Sequence, residues 1–257
     1  MHAGIATLDA RLAWVFLPAV LLLLLGMQSP VQAQSSIGSI SAFAGQCSVL
    51  RGTHSFKLSA GSTIVQGDEI STGIDGGVTV QTNNRNQIEL GNSTTLSVTA
   101  DNRLGSAEIR VNLQSGIARS SIGARGMKME VITGNADVKA DSGTYDTSYY
   151  TGAVRPGFGT CAQFTEVAAL IDSAEVTNVL SRSPAPTTVP AGYATVVACN
   201  TDPLYPAPLN VTGVKTLGHS KIASTAGIAG MLTYFLGPGG AAGELQAVSG
   251  TVISPQY

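Results

Sequence analysis

The chain has 257 residues, a formal charge of −2, and only 12% charged and 5% aromatic residues. A balance so near neutral offers no field for nucleic acid or anionic lipid. The length permits a buried core in one or two domains, and 30 glycines among many Ser, Thr and Val residues point to β structure outside the cytoplasm rather than to disorder.

At the N-terminus, Arg11 precedes the apolar run from Leu12 to Gly26, and Val31 and Ala33 supply small residues behind it. This is the pattern of a secretory signal peptide, with cleavage expected after Ala33 and residues 1–33 removed. The alternative, an uncleaved anchor, asks for a span of about 20 residues, longer than this run. Asp9 and Arg11 leave together, so the charge stays at −2, and the only tryptophan, Trp14, leaves with them.

From Ser35 to about Tyr150 the apolar residues recur with a period of two. Val78 and Val80 share a face, as do Ile88 and Leu90, Leu96 and Val98, and Ile109, Val111 and Leu113. These are half-buried strands with apolar residues inward and polar residues outward. Turn-forming stretches separate them: Asp75 to Gly77, Asn83 to Asn86, Gly91 to Ser93 and Asp101 to Gly105. No proline interrupts the chain between Gln34 and Arg155, which suits ladders that use every amide. The fold class expected is all-β: an antiparallel roll, sandwich or solenoid.

The stretch from Gly61 to Gly73 places Ile64 and Ile70 inward and Gly61, Gly67 and Gly73 at bends. Asp68 is expected to cap the turn through its carboxylate. Asp68 and Glu69 are adjacent in extended chain and point to opposite faces, so they do not form a catalytic pair.

The ordered series Leu58, Gly61, Gly67, Asp68, Ile70, Thr72, Gly73, Ile88, Leu90, Gly91, Thr94 and Leu96 resembles the core of the FecR-like domain, and Gly116 and Arg119 match its next strand. The resemblance covers about Ile37 to Val179. Gly134 stands where that family usually has proline, and Ser142 where it usually has arginine. The resemblance implies an extracytoplasmic all-β domain without catalytic residues of its own. In the iron-dicitrate regulator such a domain senses an outer-membrane transporter and signals to a sigma factor. Here a stand-alone exported domain is expected, without the anti-sigma segment, so that regulatory role does not carry over directly.

Beyond Arg155 the composition changes. Thr165 to Val179 fits one or two further strands, although Val167, Leu170 and Ile171 also suit a helical period. Ser181 to Gly192 is proline-rich and reads as a linker or edge loop, Tyr193 to Cys199 as a returning strand, and Asn200 to Asn210 as irregular extended chain. The apolar run Ile222–Leu236 is broken by Gly237 and Pro238; it is short for a span and leaves open weak membrane contact or a packed tail. Residues 247–257 resemble one last strand. The organisation expected is a signal peptide (1–33), a FecR-like β domain (35–180), a Pro-rich linker with a returning strand (181–220) and a small-residue-rich tail (221–257).

Export makes a disulfide plausible, and of Cys47, Cys161 and Cys199 the last two lie beside strand-like runs in the second half. A Cys161–Cys199 bond with Cys47 as a buried thiol is expected; three buried thiols are the alternative. No close cysteine pair and only His54 and His219 remain for metal, so no metal and no cofactor are expected. Both histidines read as surface turns. The glycine runs near residues 227–243 lack the lysine of a phosphate loop. Tyr145 to Tyr150 form an aromatic cluster, read as cross-strand packing ahead of stacking on a sugar or partner. The function expected is a non-enzymatic exported protein of the periplasm or cell envelope. It binds or scaffolds an envelope protein or a peptidoglycan or polysaccharide partner; the alternative is a sensor of envelope signalling.

Overall fold

The computed structural model describes residues 35–101, 108–123, 126–152, 154–155, 158–212 and 214–217. Cleavage after Ala33, the loop Asn102 to Gly105, His219, the Ile222–Leu236 run and the last expected strand lie outside these residues.

The first half lays down β1 (Ser36–Ala44), β2 (Cys47–Arg51), β3 (His54–Lys57), β4 (Thr63–Val65), β5 (Glu69–Thr72), β6 (Gly77–Thr82), β7 (Gln87–Leu90), β8 (Thr95–Asp101) and the long β9 (Glu108–Ile122). The second half adds β10 (Lys128–Ile132), β11 (Ala136–Ala140), β12 (Gly143–Thr151), β13 (Gln163–Ile171), β14 (Ala174–Asn178), β15 (Thr187–Val189), β16 (Tyr193–Ala198) and β17 (Ala207–Pro208). One helical turn, α1 (Leu209–Thr212), follows.

Two sheets result, and the strand order in each nearly follows the sequence. Sheet I runs β4-β1-β6-β7-β9-β12-β13-β16-β17, and sheet II runs β3-β2-β5-β8-β9-β10-β11-β14-β15. The chain thus winds between the sheets while advancing along one direction, as a roll does. Its pairings are antiparallel except for β9 with β10, which is parallel. That exception follows from β9 itself. Its first half pairs with β8 and β10 in sheet II, and its second half with β7 and β12 in sheet I.

The crossing point of β9 is Gly116, at φ 89°. A Cβ there would lie 2.6 Å from the Thr94 Cα and 2.4 Å from its Oγ1, so only glycine lets the strand change sheets so close to its neighbour. Thr94 Oγ1 accepts from the Ile117 amide at 3.0 Å and donates to the Ile117 carbonyl at 3.1 Å, which pins the bend.

The alternating residues meet between the sheets. Val78, Val80, Ile88 and Leu90 from sheet I share one core with Ile70, Leu96, Val98, Val111 and Leu113 from sheet II, all fully buried. Each such side chain contributes about 1.5–3 kcal/mol by leaving water.

In the second half of the chain the structure decides one open reading and corrects another. Thr165 to Val179 forms two strands, β13 and β14, with Val167 and Ala169 inward at the strand period. The proline-rich stretch is not a free linker: it carries β15, which pairs with β14, while β16 pairs with β13. Chain beyond residue 180 is therefore hydrogen-bonded into the same two sheets. Pro186 and Pro190 flank β15, and at a sheet edge a missing amide costs no ladder bond.

Candidate functional site

The outward positions of sheet I were expected in water. In the structure a row of them is buried and carries charges. The strand registers place Glu89, Arg119, Asp146, Ala168 and Ala194 side by side across β7, β9, β12, β13 and β16. Arg119 forks onto Asp146, Nε to Oδ1 at 2.6 Å and Nη2 to Oδ2 at 2.9 Å. Their side chains are only 2% and 1% exposed, which separates this pair from an ordinary surface ion pair. Burial pushes the Glu89 carboxyl above its ordinary range, against the opposing pull of Arg119 and a hydrogen bond from Gln87.

One register position along, Glu166 of β13 lies beside Ser148 of β12. It accepts a hydrogen bond from Arg155, whose guanidinium also sits 4.7 Å from the Phe164 ring centre and 5.5 Å from that of Tyr150. Phe158 meets Phe164 edge-on at 5.2 Å. A cation stacked on two rings and paired with a carboxylate is held in one geometry.

The remaining capacity of these carboxylates is turned toward backbone. Asp146 Oδ2 accepts the Leu217 amide at 2.6 Å, and Glu166 Oε2 accepts the Lys215 amide at 3.4 Å. The Leu217 side chain is 5% exposed and packs on Gly91. A Cβ at Gly91 would lie 2.8 Å from Leu217 Cδ1 and 2.5 Å from Ile117 Cγ2. This face thus holds two backbone amides and one apolar side chain of residues 214–217.

Sequence reasoning did not single out Glu89, Asp146, Arg155 or Glu166, and took Arg119 only as part of a family pattern. A local signal was present. Gly91, Ala168 and Ala194, small residues at or beside strand positions on this face, leave room for chain laid over the sheet.

The residues that the sequence did single out lie in turns, an edge strand and the core. Gly67 has φ 85° and lies in the turn between β4 and β5. Asp68 Oδ2 accepts the Val65 amide at 2.9 Å, and Arg51 forks onto the carboxylate at 2.7 and 2.8 Å. Gly73 bonds its amide to the Gln46 carbonyl at 2.7 Å, without a left-handed φ. Glu69 accepts from Gln114, away from buried Asp68. His54 opens the exposed edge strand β3 rather than sitting in a turn. Tyr145 and Tyr149 are buried in the core, and Tyr149 accepts a hydrogen bond from Gln163 at 2.5 Å. Gly134 leaves the space that the Tyr149 hydroxyl fills: a Cβ there would be 1.9 Å from it. Cys161 and Cys199 are joined by a disulfide, with Cα atoms 5.8 Å apart, and Cys47 is a buried free thiol whose pKa burial pushes up. Among the described residues no group of three or more His, Cys, Asp or Glu could hold a metal ion, and no helix is long and apolar enough to cross a membrane.

No family model and no curated protein matches the chain. Two crystal structures of a candidate anti-sigma factor from Parabacteroides distasonis, at 2.50 and 1.65 Å resolution, are similar to it at 18% identity and a TM-score of 0.40. The match covers 55% of this chain and 59% of that one.

Proposed function

We propose that this chain is a non-enzymatic, exported binding module of the cell envelope, with a protein or cell-wall polymer as its partner. The observation that carries the reading is the β2–β3 hairpin. Among the described residues strand β3 pairs only with β2, so one edge of its backbone has no strand beside it there, and all four of its residues are exposed. Phe56 is 51% exposed and stacks with His54 at 6.5 Å, while Leu50 adds apolar surface on the neighbouring strand. An open edge flanked by apolar side chains is the apparatus of strand addition. The Cys161–Cys199 bond supports an oxidising compartment.

The test is capture from envelope fractions with the exported protein as bait. A partner that elutes from the natural protein and is lost with Phe56→Glu supports the proposal. A purified protein that hydrolyses an envelope polymer overturns it. Envelope signalling of the FecR kind is the second reading, favoured by the FecR-like residues between Leu58 and Leu96.

A further inference from the structure

The chain's own residues 214–217 lie against the outer face of sheet I. Two observations set this contact apart from ordinary packing. The groups that meet the segment are buried carboxylates, Asp146 and Glu166, and what they bind is main-chain N–H at alternate residues, 215 and 217. The recognition is therefore independent of the side chain at those positions, except where Leu217 enters the space left by Gly91. We infer that this face is a peptide groove for a partner segment in trans, occupied in the free protein by residues 214–217 as an internal competitor. The partner it fits is an extended, neutral-to-basic segment with a leucine-sized apolar residue. The charge follows from the lining: among the described residues Glu89, Asp146 and Glu166 face Arg119 and Arg155, and the resident segment brings Lys215. An acidic segment would meet like charge at low dielectric. The geometry also suits displacement, because the resident segment is tied by two amides and one side chain and its Lys215 remains exposed.

The experiment uses the full exported chain and a labelled nonapeptide of its own sequence from Thr212 to Ser220. Leu217→Asp should vacate the groove. Fluorescence anisotropy should then show the peptide binding the variant at least tenfold more tightly than the natural protein, since a population-weighted internal competitor weakens apparent affinity. A peptide carrying aspartate in place of its leucine should bind neither protein, and one carrying glutamate in place of its exposed lysine should bind the variant more weakly than the natural peptide does. Leu217→Ala, a milder change that keeps the backbone amides, should fall between the two and serves as the informative variant if Leu217→Asp does not melt cooperatively. Phe56→Glu should leave peptide binding unchanged, which separates this groove from the β3 edge. A folded Leu217→Asp or Leu217→Ala protein with no gain in affinity, or with equal affinity for the aspartate peptide, overturns the inference and leaves residues 214–217 as packing.

Discussion

Removing one member of the Arg119–Asp146 pair should destabilise the protein far more than replacing both. Both side chains are essentially out of water, so the attraction is unscreened, and so is the penalty for a lone charge. Arg119→Met leaves the Asp146 carboxylate buried with the Leu217 amide and with Glu89 nearby, a cost of about 3–5 kcal/mol by analogy with other buried pairs. For a protein of this size that corresponds to a drop in Tm of roughly 6–20 °C. Arg119→Met with Asp146→Leu replaces both charges by apolar volume and leaves one amide, that of Leu217, without its acceptor. Its expected cost is about 1–3 kcal/mol, the penalty for that amide. Urea titration of the four proteins gives the coupling, expected near 2 kcal/mol or more. A single-variant cost below about 1 kcal/mol, the value of a solvated pair, would refute the assignment of this face as buried.

Three further outcomes are expected. Asp68→Ala should cost about 1–3 kcal/mol because it strands the Val65 amide, and Arg51→Gln should cost at least about 1 kcal/mol because the Asp68 carboxylate it leaves without a cation is 1% exposed; a urea midpoint unchanged in either variant would contradict this. Replacing Cys161 and Cys199 by serine should cost about 3–4 kcal/mol for a crosslink spanning 38 residues, and iodoacetamide should reach Cys47 only in denaturant, both checked by mass-resolved alkylation along the urea curve. Glu89 has a folded pKa raised above its unfolded one, so the folded state binds its proton more readily. Its penalty grows as pH rises through the interval between the two values, and Glu89→Gln should raise the urea midpoint more at pH 7 than at pH 4.

The inward half of this fold was legible because it is local. Ile109, Val111 and Leu113 alternate in sequence and lie together at zero exposure, and the turn at Gly67 and Asp68 announces itself in two residues. The sheet to which a strand belongs was not legible, since nothing in Glu108 to Ile122 says that one strand serves both sheets except the glycine at its middle. The candidate groove was hidden for a related reason. Glu89 between Ile88 and Leu90 follows the alternation expected of a solvent-facing position, and alternation says which residues share a face without saying what lies over it.

The two outer faces show how that missing information is encoded. On sheet II, Arg110, Glu130, Lys139 and Glu175 are cross-strand neighbours of alternating sign. Burial alone would push the Glu130 carboxyl up, but hydrogen bonds from Arg110 and Lys139 outweigh it and hold the carboxyl below its usual range. Those two cations are 39% and 50% exposed, so the row covers its own carboxylate with long side chains and faces water. On sheet I the Arg119–Asp146 pair has Glu89 on one side and Ala168 and Ala194 on the other in the same row, with Gly91 just beyond β7. Small side chains cannot cover a charge. The charges there are covered instead by residues 215 and 217, whose amides bond to acceptor atoms that the cations leave over. Side-chain size between the charges, more than the charges themselves, separates a solvated face from a covered one in this protein.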